Sequence, residues 1–246
     1  MSTEARQLHI GGLQVELVRK DIKNLHLGVY PPAGRVRVAA PLAVSDDAVR
    51  LAVIGRLGWI RRQQAKLQAQ PRQSAREMLQ GESHYYLGRR YRLVLEETRG
   101  RQTVSLQGGA RMVLHARPGA DVAARWRVLE RWYRAQLQAL LLPMVERWVA
   151  EIGIATPPWR VRWMKTKWGS CNPGAPRLWF NLALVKVPPE CIEYVVLHEL
   201  LHLIDASHGE RFIEALDAHL PDWRERRAQL NAQPLTDLAV LPRAKL

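Results

Sequence analysis

The sequence holds only two cysteines, Cys171 and Cys191, in 246 residues. A disulfide framework is excluded, and a reducing compartment is the expectation. No run approaches the roughly 18 uncharged apolar residues of a membrane span, and the opening Met-Ser-Thr-Glu-Ala-Arg-Gln lacks a signal-peptide core. A cytoplasmic, soluble chain with no membrane partner is therefore expected. The G-x-x-x-x-G-K-[ST] phosphate loop is missing too, which counts against P-loop nucleotide chemistry. Acidic residues are scarce, 23 against 37 Lys and Arg, for a net charge of +14. The deficit is uneven: residues 1–120 hold 20 basic and 9 acidic side chains, residues 121–246 hold 17 and 14. Such a half either attracts an anionic partner, nucleic acid or nucleotide, or is an arginine-rich solvated surface.

What the chain does have is HELLH, from His198 to His202, with a further histidine at His208. Helical residues four apart are offset by about 40° and about 6 Å, so His198 and His202 leave one face together. Two imidazoles so placed hold a Zn²⁺ ion, and Glu199 sits where it reaches a water rather than the metal. A catalytic zinc site needs a third protein ligand and an open fourth position. After Ile204 the apolar run stops, and Ser207 stands three residues before Glu210 in capping-box spacing. Asp205 to Ser207 then reads as a tight turn, with His208 in the first turn of a new helix through Phe212 and Leu216. The chain turns back there and can present His208 to the pair, although Glu210 or Glu214 could also supply the third ligand. A closed structural zinc site would need Cys171 or Cys191, and Cys191 lies about 10 Å from His198 along the same helix. His9, His26, His84 and His115 read instead as ordinary hydrogen-bonded histidines. The metzincin pattern would need glycine where Asp205 stands and a later methionine, and none follows Met164.

The remaining pattern is α+β. Short alternating runs from Gln7 to Ala40 predict an antiparallel sheet. Ser45 caps a helix predicted from Asp46 to about Gln68, ended by Pro71. Tyr85 to Leu95, Thr103 to Leu106 and Arg111 to His115 read as further strands. Within them Arg89, Arg90 and Arg92 alternate with tyrosines, which suits either nucleic-acid contact or one buried and one solvated face. A long linking helix is predicted from Asp121 to Ile152, kinked or split at Pro143. Strands from Trp159 and from Leu178 to Val185 flank a turn at Trp168 to Gly174. The chain thus divides into a basic β-rich accessory region 1–118, a catalytic domain 119–234 including the linking helix, and a tail 235–246.

Trp168-Gly169-Ser170-Cys171, Asn181, Tyr194-Val-Val-Leu-His-Glu-Leu-Leu-His, His208, Phe212 and Pro221-Asp222-Trp223 together resemble the YgjP-like metallopeptidase family, related to the SprT and WLM zincins. The resemblance implies a zincin-like C-terminal domain with His198, His202 and His208 on zinc and Glu199 as catalytic base. Leu201 departs from the smaller residue common there, a difference of packing. In the peptidase reading Glu199 takes a proton from a zinc-activated water that attacks a peptide carbonyl. Trp168, Asn181 and Arg177 are candidates to border the substrate, and Arg177, Lys167 or backbone amides near Trp168 to hold the oxyanion. A strand from Leu178 at the sheet edge would let a peptide pair with it. Two other functions stay open: a metal-dependent pyrophosphatase acting on nucleotide phosphoanhydrides, and a nucleic-acid-binding protein with a structural metal. Mn²⁺, Co²⁺ or Ni²⁺ can replace zinc on such ligands.

Overall fold

A computed structural model describes residues 5–30, 34–69, 77–164 and 167–233. Pro71 and the tail 235–246 lie outside that set. The chain packs as two units, Met1–Arg72 and Gln73–Leu246.

In the first unit β1 (Ala5–Ile10), β2 (Leu13–Lys20), β3 (His26–Tyr30) and β4 (Arg35–Pro41) form one sheet in the order β1-β2-β4-β3. The β2–β4 pair is parallel and the other two are antiparallel, so the predicted all-antiparallel sheet is mixed. Strand alternation buries Val15, Leu17, Val36 and Val38 on one face. Val49 and Val53 of α1 (Asp46–Ile54) and Ile60 of α2 (Leu57–Ala69) belong to the same core. The Ser45 hydroxyl caps α1, accepting the Ala48 N–H at 3.2 Å. The single predicted helix is two, because α1 ends at Gly55, where glycine's low helix propensity lets the chain turn.

The second unit opens with the same topology. Strands β5 (Ser83–Tyr86), β6 (Arg89–Glu97), β7 (Thr103–Gln107) and β8 (Arg111–Ala116) run in the order β5-β6-β8-β7, again with a parallel central pair. Here too a side-chain-capped helix comes next, with Asp121 accepting the Ala124 N–H at 2.7 Å. Arg89, Arg90 and Arg92 are exposed, whereas Tyr91 is buried and Tyr86 packs on Trp132 at 4.9 Å. The arginine and tyrosine alternation is thus a solvated face against a packed one, with those two rings taken up in packing.

Helix α3 (Val122–Ile152) is continuous through Pro143. Leu137, Leu141, Val145 and Trp148 are buried on both sides of the proline, so packing carries the helix across the one hydrogen bond proline removes. Trp126, Leu129 and Tyr133 share a core with Leu93 and Leu114 of the second sheet and with Leu178 and Leu197 near the metal motif. By packing, the second sheet therefore belongs with the long helix.

A third sheet, β9 (Trp159–Arg162), β10 (Gly169–Asn172) and β11 (Arg177–Asn181), has the order β10-β11-β9. Two local expectations are corrected here. The predicted turn at Trp168 contains strand β10, and the strand predicted through Val185 stops at Asn181. There the Asn181 side-chain oxygen accepts the Ala183 N–H at 3.1 Å and starts a 3₁₀ turn, Leu182–Lys186. A third expectation is corrected too: the strand from Leu178, β11, is central rather than at the edge, and the sheet edge near the metal motif is β10.

Helices α4 (Pro189–Leu201), α5 (Glu210–His219) and α6 (Trp223–Asn231) complete the unit. The β5–β6 turn, Leu87 and Gly88 with φ of 47° and 78°, steadies the entry to α4. Its two N–H groups donate to the carbonyls of Val185 and Lys186, each at 2.9 Å. A Cβ at residue 88 would stand 2.8 Å from Pro188, so the close approach requires glycine. Among the described residues no helix is long and apolar enough to cross a membrane.

Candidate metal centre

Helix α4 buries Val195, Val196, Leu197 and Leu200, which fixes its rotation and turns Tyr194, His198 and His202 toward one cavity. The chain leaves α4 at His202 and reverses through Asp205 to Ser207. The Asp205 carboxylate accepts the Ser207 N–H at 2.8 Å and its hydroxyl at 2.7 Å, and the Ser207 oxygen accepts the Gly209 N–H. The predicted capping box is therefore not formed: the Ser207 side chain closes this turn instead, and α5 begins after Gly209. His208 lies just before the helix, not in its first turn, and still returns to the pair.

Among the described residues, His198, His202 and His208 are the group able to hold a metal, with one ligand atom from each all within 4.8 Å. His198 Nε2 and His208 Nε2 are 3.3 Å apart. Nitrogens about 2.0–2.1 Å from a tetrahedral Zn²⁺ stand about 3.3–3.4 Å from one another, so this pair already has the edge length of such a site. The Asp205 carbonyl can only accept, so the 3.2 Å contact to His202 Nδ1 places a proton there and leaves Nε2 a lone pair. Burial first, then the neighbouring His202, His208 and Arg227, hold His198 down to about 3, which keeps it neutral as a ligand must be. Phe212 wedges against all three rings, at 5.1, 4.8 and 4.9 Å.

The other candidate ligands lie elsewhere. Glu210 and Glu214 are exposed on α5 and do not join the imidazole group. Cys191 is fully buried with its Sγ toward Gln229, 3.3 Å away. Cys171 borders the cavity, but burial pushes its thiol up to about 11, with Glu199 adding to the effect. His84 is buried beside Glu82, and His115 stands beside Glu96.

Glu199 is 7% exposed. Burial raises its carboxyl to about 7, opposed by the Lys167 charge and the Cys171 backbone N–H that hydrogen-bonds it. Edge strand β10 lies directly on this carboxylate: a Cβ at Gly169 would come 2.5 Å from Glu199 Oε1 and 2.6 Å from its Cγ. The slot for the glutamate thus exists because residue 169 has no side chain.

Trp168 and Lys167 line the same cavity, of about 750 Å³. Asn181 does not. It is fully buried, and its Nδ2 donates to the carbonyls of Met164 and Lys167 at 2.9 and 2.7 Å. Its own backbone N–H donates to the Trp168 carbonyl at 2.8 Å. Asn181 therefore fixes the turn that carries Lys167 and Trp168, each such bond contributing about 1 kcal/mol. Arg177 is exposed at the start of β11, 5.9 Å from the Trp179 ring, and is not among the cavity residues. Sequence reading missed Arg227 and the cavity role of Tyr194. Trp223, Arg227 and Asn231 recur at helical spacing, which was a usable signal, but no pattern told where α6 packs.

A family model described as YgjP-like, metallopeptidase domain, matches residues 23–233. No curated protein matches the chain. Among solved structures, the metallopeptidase zymogen abylysin of Pyrococcus abyssi is 19% identical with a TM-score of 0.34, over 36% of this chain and 89% of its own. The zymogen jannalysin of Methanocaldococcus jannaschii is 22% identical with a TM-score of 0.34, over 36% and 85%.

Proposed function

We propose that this chain, which belongs to the YgjP-like metallopeptidase family, is a zinc-dependent peptidase with Glu199 as its general base. The observation that carries the reading is the convergence of His198, His202 and His208 beside a buried Glu199 in an open cavity. A divalent ion on the three imidazoles would lower the pKa of a water and polarise a substrate carbonyl. Everything else falls to the chain. Glu199 accepts the water proton on a carboxylate oxygen and delivers it to the leaving amine nitrogen. The Cys171 N–H and the absence of a side chain at Gly169 hold that carboxylate in place. Strand β10, at the sheet edge, offers backbone groups to an extended peptide. The excess of 20 basic over 9 acidic side chains in residues 1–120 supports substrates associated with nucleic acid, and two free cysteines support a cytoplasmic setting.

Cleavage of a nucleotide phosphoanhydride is the second reading, supported by the cations Lys167 and Arg227 in the cavity lining. One assay separates the two. Reduced, unfolded protein and a nucleoside triphosphate panel are offered to the enzyme before and after chelation, with zinc restored afterwards. Peptide products that vanish on chelation and return with zinc are expected. Phosphate or pyrophosphate release without any peptide product would overturn the peptidase.

A further inference from the structure

Helix α6 turns one face to the cavity: Trp223, Arg227, Leu230 and Asn231 all line it, at the i, i+4, i+7, i+8 spacing of one helical stripe. Three arginines stand close together on this helix, and they are treated differently. Arg224 hydrogen-bonds the Asp217 carboxylate, and Arg226 bonds Asp222 at 2.9 Å and also Glu193. Arg227, exposed at the cavity wall, makes no ion pair or hydrogen bond among the described residues. Among the described residues of the cavity lining Glu199 is the sole carboxylate, against the cations Lys167 and Arg227. Between the imidazoles and Arg227 the wall is largely apolar, with Tyr194 stacked on Trp223 at 6.1 Å and 11°, and Val195 and Leu216 beside them.

We propose that Arg227 reads the substrate, binding a peptide carboxylate next to the scissile bond, either an Asp or Glu side chain or the free C-terminus. This rests on the peptidase reading above. A guanidinium presents a planar fork of donors that matches a carboxylate in a bidentate pair, and a charge-assisted bond is the strong kind. Asn231, one turn further along α6, adds an amide donor at the same wall. The apolar stretch before Arg227 accommodates the aliphatic part of the residue whose tip is charged. The two cations in the lining supply the complementary charge that an acidic peptide needs and a basic one would be repelled by.

The test pairs peptides differing only as Glu or Gln near the cleaved bond, each with a free or amidated C-terminus, and reads kcat/KM by mass spectrometry. The zinc-loaded wild type is expected to favour one carboxylate form over its neutral twin by tenfold or more. In Arg227→Gln that ratio falls to about one, while Arg227→Lys keeps part of it and Glu225→Gln, on the exposed face of α6, keeps it all. Which twin loses the preference, side chain or terminus, names the source of the carboxylate. Equal ratios in wild type and Arg227→Gln would overturn the proposal. So would a preference for basic peptides. Calorimetric binding of the same peptides to Glu199→Gln stands apart from turnover. Arg227-dependent preference for the acidic form with no hydrolysis by wild type would refute the peptidase and leave the carboxylate site standing. Binding indifferent to Arg227 would refute the carboxylate site alone.

Discussion

Glu199→Gln should retain one zinc per chain and lose hydrolysis by about a thousandfold or more, in kcat rather than KM. Glutamine keeps nearly the same shape in the slot under β10, so the fold and the three imidazoles are left alone. What it cannot do is take a proton. The site also shows why a glutamate works there. At 7% exposure burial raises its carboxyl in the metal-free site, and a divalent ion on the imidazoles would draw it back toward the ionised, proton-accepting form. The check is zinc content by mass spectrometry on the same preparation used for kinetics. Loss of zinc together with activity would make Glu199 a structural support. Retained turnover with zinc bound would remove it from the chemistry.

Gly169→Ala is expected to cost about a hundredfold in kcat with the metal still bound. The added Cβ would meet Glu199 Oε1 at 2.5 Å and Cγ at 2.6 Å, well inside any real contact, so the carboxylate must move. Misplacing a reacting group by about 1 Å costs on the order of a hundredfold even when nothing else changes. Gly169 lies on an edge strand with ordinary backbone geometry, so alanine brings no conformational strain of its own. Thermal melting and metal content separate this from unfolding. A nearly unchanged Tm and zinc content with collapsed kcat is the predicted combination. Full activity would mean that the Glu199 carboxylate tolerates displacement, and with it the positioning account of β10 fails.

The imidazole trio was legible in the sequence because helical spacing fixes His198 and His202, and because the turn-forming Asp205 and Ser207 announce a reversal before His208. The closing device was not: Ser207 closes the turn to Gly209 rather than capping α5, since one hydroxyl can serve either partner. Asn181 was read as a residue bordering the substrate cleft, which it does not line. Its side chain faces inward to the Met164 and Lys167 carbonyls, because the chain leaves the strand at Asn181 for a 3₁₀ turn and the strand's alternation no longer sets the direction. The split of Asp46 to Gln68 at Gly55 was visible in the glycine. The continuity of α3 through Pro143 was not, because it depends on tertiary burial of Leu137 to Trp148. The repeated β-β-β-β-helix topology also escaped reading, as the two copies share strand order and capping positions rather than an evident sequence repeat. By composition the chain changes near residue 118; by packing it divides between Arg72 and Gln73, since Trp126, Leu129 and Tyr133 share a core with the second sheet. Long-range pairing of that kind leaves no local trace.

The most direct measurement is X-ray absorption spectroscopy at the zinc edge on the wild-type protein loaded with one equivalent of metal, alongside His208→Ala. Three nitrogen ligands at about 2.0–2.1 Å with one oxygen neighbour are predicted for the wild type, and one nitrogen fewer for His208→Ala. A sulfur scatterer, a fourth protein nitrogen in place of the oxygen, or a spectrum unmoved by His208→Ala would contradict an open, three-imidazole centre.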